Sequence, residues 1–217
     1  MFKIPASTNC HTIKNPVLLM HGHLSCSDFA VLMGPQNGLA YNLVDECHPV
    51  YLGNARSNIY AQKHKTLSKN IIDFWNFSYY EIGYYDVAAM VQEILNNSNG
   101  TVETVDYVGH SQASAEILVL LAERPEFRNK IGSVVLLAPS VYMHHTENRM
   151  VQGIAQWSTL LPQDQLVGNW LQGNFLTQLI MEFLCGNGAC SMLSETFLAG
   201  GNSVNKVIIC YYSVLFL

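Results

Sequence analysis

Apolar residues gather along this chain in short unbroken runs separated by polar turns. Pro16-Val17-Leu18-Leu19-Met20-His21-Gly22 is an apolar run stopped by glycine, the pattern of a strand buried on both faces. Val50-Tyr51-Leu52-Gly53 predicts a second strand, Val105–Val108 a third, and Ile131–Ala138, closed by Pro139, a fourth. Between them the period changes. Ile82, Tyr85, Ala89, Met90, Ile94 and Leu95 share a helical face that ends in the polar run Asn96–Gly100. Ala115–Ala122 predicts a buried helix stopped near Pro125.

Doubly apolar strands alternating with helices predict an α/β architecture: a parallel sheet covered on both sides, with right-handed crossovers. From Ser140 to about Ser203 no strand is apparent. Short helical pieces such as Phe175–Leu184 predict an inserted helical region. The apolar tail Val207–Leu217 is too short to span a bilayer, and no internal repeat or low-complexity tract is present.

The third strand carries the chemistry. Val105-Asp106-Tyr107-Val108 runs into Gly109-His110-Ser111-Gln112-Ala113 and then directly into the helical run. A serine on so sharp a strand-to-helix turn is pushed out of the sheet beside the backbone N–H groups of the helix start, the arrangement of a nucleophile elbow. Serine is a poor nucleophile unaided and needs a base and an oxyanion stabiliser. The Gln112 N–H supplies one expected oxyanion donor. The second comes from the loop after an earlier strand, here His21-Gly22-His23, whose expected donor is the His23 N–H. Without that upstream loop, Ser111 would read as a small turn residue.

The remaining histidines are weaker candidates. His110 is expected to pack locally and His21 to hold the oxyanion loop, while His144 and His145 follow the fourth strand. His11, His48 and His64 have no clear role. His21-x-His23 lacks a third ligand at metal spacing, so no metal site and no cofactor are expected. No histidine follows His145, although this architecture carries its triad in the order Ser, Asp or Glu, then His. Asp164, Glu182 and Glu195 fall in the helical insertion and read as surface charges. The triad Asp and His are therefore expected to be absent from the chain.

Composition narrows the class. Of 217 residues, 49% are hydrophobic and 12% charged, which points to a large core with apolar surface to spare. The net charge of -5 and the lack of a basic cluster argue against nucleic acid as a partner. Met1-Phe2-Lys3-Ile4-Pro5 has no apolar leader, so no signal peptide is expected in the chain as it stands. Three N-glycosylation sequons, at Asn76, Asn96 and Asn99, point instead towards a secreted origin. The six cysteines are scattered without a Cys-x-x-Cys pair, which argues against zinc.

Five collinear segments resemble the acid lipases, the family of gastric and lysosomal lipases and their insect relatives. These are Pro16-Val-Leu-Leu-Met-His-Gly, Tyr51-Leu-Gly-Asn-Ala-Arg-Ser-Asn-Ile-Tyr, Asp73-Phe-Trp-Asn-Phe-Ser-Tyr-Tyr-Glu-Ile-Gly-Tyr-Tyr-Asp86, Tyr107-Val-Gly-His-Ser-Gln and Leu137-Ala-Pro139. The resemblance covers roughly residues 1–203. It implies a partial α/β-hydrolase core over 1–139, part of a helical cap over 140–203, and a tail over 204–217 with no family likeness. It further implies hydrolysis of neutral lipid esters at a lipid–water interface, with Ser111 as nucleophile and the N–H groups of His23 and Gln112 as oxyanion donors. A disulfide between Cys185 and Cys190 in the cap and a secreted or lysosomal location are also implied.

The departures matter as much. Family members usually carry glycine at Ala113, leucine at His23 and glycine at Ser57. They also begin upstream of this chain and continue beyond the cap into strands bearing the triad Asp and His. The expectation is thus a chain truncated at both ends, inactive or weakly active as written. The alternatives are a non-catalytic lipid-binding remnant and a chain that does not fold alone, because an unpaired sheet edge and an uncovered apolar face would be left.

Overall fold

The four apolar runs lie side by side as parallel strands, joined by a short strand at the N-terminus. A computed structural model describes residues 1–142, apart from Leu24, Ser57, Asn70 and the side chain of Ile72. The strands are β1 (Phe2–Ile4), β2 (Val17–Met20), β3 (Val50–Leu52), β4 (Val105–His110) and β5 (Ile131–Leu137), in the spatial order β1-β3-β2-β4-β5. β1 pairs antiparallel with β3, with Phe2 opposite Leu52; the other pairings are parallel. The helices are α1 (Leu39–Asp45), α2 (Tyr79–Glu81), α3 (Ala88–Asn96) and α4 (Ala113–Glu123). A π-helical segment, Ile82–Val87, joins α2 to α3.

Period-two alternation on β2 sorts the core into two layers. Leu18 and Met20 pack with Val91 and Ile94 of α3 and Ile117 and Leu120 of α4. Val17 and Leu19 point the other way, among Ala30 and Ala40, with Leu43 and Val44 of α1 against them. The sheet therefore has helices on both faces. α1 carries the chain from β2 outward to β3, and α4 carries it from β4 in the opposite direction to β5. The neighbours β2 and β4 thus form a topological switch point, and the crevice beyond their C-terminal ends is the usual ligand position in open α/β sheets.

β5 departs from the expected buried strand. Ile131 is buried, but Gly132 to Val135 and Leu137 are exposed. The reason is its place: it is an edge strand among the described residues. Its pairing with β4 also slips after Val105, so that Tyr107 faces Val134. The Asp106 carboxylate fills that bulge by accepting the Ser133 N–H at 2.7 Å.

Two features lacked a sequence signal. β1 is too short and too exposed to show periodicity. Cys10 and Cys47 form a disulfide across 37 residues of sequence. Cys47 sits just beyond α1 with φ of 72°, where its N–H donates to Val44 and the His48 N–H donates to Leu43. That is a Schellman termination with cysteine at the position usually held by glycine.

The described residues fall into two units: Met1–Gln62 with Phe77–Val141, which holds the whole sheet, and a second to which Lys63–Asn76 belongs. In that second segment the Trp75 indole donates to the Lys69 carbonyl at 2.9 Å, and His64 meets Phe74 edge-on. Residues 143–217, and with them the helical region expected around Phe175–Leu184, the tail, and Cys185 and Cys190, lie outside the described residues.

Candidate active site

β4 ends at His110 and α4 begins at Ala113, which leaves Ser111 to turn the chain. It does so with φ of 54°, in the left-handed region that costs a side-chain-bearing residue about 1–2 kcal/mol. The turn is held from several sides. The Ser111 N–H donates to the Leu137 carbonyl of β5 at 2.9 Å, and the Ser111 carbonyl accepts the Ser114 and Ser140 N–H groups at 3.0 and 3.3 Å. The flanking small residues are required by space. A Cβ on Gly109 would lie 2.7 Å from the Tyr107 ring and 3.1 Å from the Ala113 carbonyl carbon. The Tyr107 hydroxyl in turn donates to the Ala113 carbonyl at 2.8 Å, so β4 clasps the first turn of α4. Ala113 is fully buried, and a methyl group is accommodated there.

The loop after β2 closes on this turn. A Cβ on Gly22 would stand 2.9 Å from the Ser111 Cβ and 3.1 Å from the His110 Nδ1. The His21-Gly22-His23 loop and the elbow are thus brought together. His21 is buried and shapes the loop: its Nδ1 lies 2.8 Å from the Gly22 carbonyl, and its Nε2 accepts the Ala55 N–H at 3.2 Å. These partners fix the neutral tautomer with hydrogen on Nδ1. Asn58 lies 3.0 Å from the same Nε2 and donates to the Asn54 side-chain oxygen, which also accepts the Ser27 N–H.

Farther along the β3 loop, the Arg56 guanidinium and backbone N–H both bind the Asp86 carboxylate, at 2.6 and 2.9 Å for the closest contacts. Arg56 and Asp86 both lie in the segments that carry the family resemblance. The pair ties the loop after β3 to the π-helical segment.

His21 and His23 lie on the loop and His110 directly precedes Ser111, and among the described residues the hydrogen bond of the Ser111 hydroxyl goes to Ser140 and to none of these rings. Burial lowers the pKa of His21, and the neighbouring His23 and His110 lower it further, against a rise from the Gly22 carbonyl. His110 stacks on Phe29 at 5.8 Å and is also lowered by burial, so it packs locally as expected. His23 keeps an exposed edge, yet crowding by the protein lowers its pKa, offset in part by a hydrogen bond with the Gln112 side chain. His48 bonds the Asn15 carbonyl at 2.7 Å.

Among the described residues, the hydrogen-bond partner of the Ser111 hydroxyl is Ser140, with 3.2 Å between the two Oγ atoms. Ser140 had no sequence signal beyond its place after Pro139. Glu116 is the other unexpected residue. It is buried on α4, with Oε1 accepting the Gln112 side-chain amide at 3.0 Å and Oε2 unpartnered. Burial raises its pKa to about 7, against the Gln112 bond, with help from the Asp86 charge. No group of metal-ligating side chains exists among the described residues. Asn76, Asn96 and Asn99 are all exposed. His144, His145, Asp164, Glu182 and Glu195 lie outside the described residues.

Residues 15–192 match the α/β-hydrolase fold family. Lipase 3 of Drosophila melanogaster is 44% identical over 157 residues, 71% of this chain and 39% of that protein. The human lysosomal acid lipase/cholesteryl ester hydrolase is 32% identical over 198 residues, 85% of this chain and 49% of that one. The chain thus spans about half or less of the length of these curated relatives. Among solved structures, a soluble variant of monoglyceride lipase from Saccharomyces cerevisiae superposes with a TM-score of 0.54 at 16% identity. It covers 74% of this chain and 48% of that one, a likeness of fold.

Proposed function

The chain belongs to the α/β-hydrolase fold family and, over the stretch it shares with them, to the acid lipases; from that premise we propose that it is a serine ester hydrolase built to act on neutral lipid esters. Ser111 is the nucleophile, and the N–H groups of His23 and Gln112 stabilise the oxyanion. The observation that carries this reading is the strained φ of 54° at Ser111, on a turn against which Gly22 is pressed. Strain held by packing on several sides is characteristic of functional turns.

The base is not among the described residues, and the Ser111 hydroxyl rests on Ser140 instead. For these 217 residues taken by themselves the proposal is weak turnover, because no histidine follows His145 in them. Serine hydrolases stripped of triad members lose on the order of 10⁴–10⁶ in turnover. The protein follows the secretory route to the exterior or the lysosome. The Cys10–Cys47 disulfide supports that route, since such bonds persist in oxidising compartments. Asn76, Asn96 and Asn99 are its glycosylation sites, and their exposure is compatible with that role.

A serine-directed fluorophosphonate probe with peptide mapping tests the assignment. The expected result is a slow-forming adduct on the Ser111 peptide, absent from Ser111→Ala, with trioleoylglycerol emulsion hydrolysed only marginally. An adduct mapped to another serine overturns Ser111 as nucleophile. Rapid turnover abolished by Ser111→Ala overturns the weak-catalyst reading and directs the search for a base to His144 and His145.

A further inference from the structure

The loop after β2 is braced by His21, Asn54 and Asn58, and three backbone N–H groups decide which way each side chain faces. The Ala55 N–H donates to His21 Nε2 at 3.2 Å, so that nitrogen carries the lone pair and Nδ1 the hydrogen. The Tyr60 N–H donates to Asn58 Oδ1 at 3.0 Å, so the Asn58 amide turns its Nδ2 inward. The Ser27 N–H donates to Asn54 Oδ1 at 3.0 Å, which sets the Asn54 amide in the same way.

With those orientations set, each inner contact pairs a donor with an acceptor. Asn58 Nδ2 gives one hydrogen to Asn54 Oδ1, at 2.6 Å, and turns the other to His21 Nε2, at 3.0 Å. A turn in which the Asn58 N–H donates to the Ala55 carbonyl at 3.4 Å brings both donors to the same ring nitrogen. Asn54 accepts twice through its oxygen, while its Nδ2 is buried without a partner. An amide kept with one end unmatched is kept for the other, here the acceptor. His21 is buried, so these bonds rather than solvent fix its ring.

The other side of the ring reaches the elbow. His21 Nδ1–H donates to the Gly22 carbonyl at 2.8 Å. That carbonyl shares one rigid plane with the His23 N–H, and in a trans peptide the two point in opposite directions. A bond that holds the Gly22 oxygen against the His21 ring therefore turns the His23 N–H away from that ring. With the hydrogen on Nε2 instead, the Nδ1 lone pair would face the carbonyl oxygen and the repulsion would rotate the peptide. Glycine resists such a rotation least of all residues, so the restraint has to come from the side chain beside it.

We propose that Asn58 is a positioning residue for the oxyanion hole: together with the Ala55 N–H it fixes the tautomer of His21, and His21 in turn holds the Gly22–His23 peptide with the His23 N–H directed to the oxyanion. This rests on the reading of the His23 N–H as an oxyanion donor. Asn58 acts through the ring and not on the ester. It joins that ring to the loop after β3 and, through Asn54, to the segment beginning at Ser27. His21 is the second positioning residue. A donor locked in place this way needs no reorientation as charge develops on the substrate oxygen.

The test is ¹H–¹⁵N correlation of the His21 ring in the isotope-labelled full chain, with the Gly22 carbonyl ¹³C resonance and fluorophosphonate labelling of Ser111 followed in parallel. The wild type should show Nδ1 protonated and Nε2 bare, and a proton on Nε2 overturns the proposal without need of any variant. Asn58→Asp, an isosteric change, puts an acceptor where the inner donor was and should draw a proton onto Nε2. Asn58→Leu should leave Nε2 bare and slow labelling about fivefold, the effect of one neutral hydrogen bond. A bare Nε2 in Asn58→Asp, or unchanged labelling in Asn58→Leu, overturns the role of Asn58. His21→Leu should move the Gly22 carbonyl upfield and slow labelling by about 10²-fold, the size of one lost oxyanion donor. His21→Asn, whose amide nitrogen falls near the place of Nδ1, should restore both, which a role in packing alone would not predict. Unchanged labelling in His21→Leu overturns the lock, whether or not the carbonyl moves. If the ring and the carbonyl behave as expected while the wild type is never labelled at Ser111, the catalytic reading fails and the peptide lock stands.

Discussion

Gly22 and Ser111 come from strands separated by most of the described chain, yet a Cβ on the first would lie 2.9 Å from the Cβ of the second. No other residue type fits at position 22 without displacing the elbow. The same Cβ would also meet the His110 carbonyl at 3.2 Å, so the obstruction includes backbone. Gly22→Ala is therefore expected to cost about 1–3 kcal/mol through overpacking and to move the oxyanion loop away from Ser111. Thermal unfolding measures the first effect and the rate of fluorophosphonate labelling the second. A variant with wild-type stability and labelling would show that the loop has slack that the packing does not reveal.

Ser111 offers a test of strain separate from chemistry. Its φ of 54° penalises any residue with a Cβ. Ser111→Ala and Ser111→Gly both lose the hydroxyl and its contact with Ser140, so the difference between them isolates the backbone term. Ser111→Gly is expected to be the more stable by about 1 kcal/mol, the reverse of the order in a helix interior. Denaturant unfolding of the two variants decides it. If alanine is the more stable, the left-handed turn at Ser111 is not held in solution.

Legibility in the sequence followed periodicity and punctuation. β2, β3, β4 and α4 were readable because apolar runs bounded by Gly or Pro have few other meanings. The elbow was readable because Gly109, Ser111 and the helix after them occur in one uninterrupted segment. The helix expected over Ile82–Leu95 forms, but its first part is π-helical, where the chain accommodates Gly83 against Glu116. β1 is three residues long and exists through its pairing with β3, which no local pattern encodes. Glu116 reads as an ordinary polar position on a helix; only the fold buries it. Ser140 meets Ser111 because β5 returns beside β4, a tertiary fact. His23 was read as a backbone donor whose side chain carried no information.

The Cys10–Cys47 disulfide closes a loop of 37 residues, for which chain entropy gives a stabilisation of about 4 kcal/mol as an upper figure. It also holds cysteine in a left-handed cap that glycine would adopt without strain. Reduction should therefore lower the unfolding midpoint, and Cys10→Ser alone should reproduce most of that loss. Cys10→Ser with Cys47→Gly should recover about 1 kcal/mol by relieving the cap at φ of 72°. Equilibrium denaturation with and without reductant provides the comparison. An unchanged midpoint on reduction would mean that β3 and α1 hold that region without the bridge.

Glu116 makes a signed prediction about pH. In the unfolded chain its carboxyl titrates near 4.5, whereas burial raises the folded value to about 7. Below the first value both states hold the proton, and the group contributes no pH dependence. Between the two, the unfolded chain ionises while the folded one keeps its proton, so stability falls as pH rises. Above the folded value the penalty is complete, at about 3 kcal/mol for a shift of this size. The histidines near the elbow act the other way. His21, His23 and His110 all have lowered values, so each removes stability as pH falls below 6.5. The wild-type profile is the sum of these opposed slopes and is a poor guide to either. The difference between wild type and Glu116→Gln cancels the histidines and leaves the carboxyl. That difference should favour the variant increasingly from about pH 4.5 to 7 and then level off, as read from urea midpoints across the range. A constant difference would mean that Glu116 titrates alike in both states, which its burial and unpartnered oxygen do not allow.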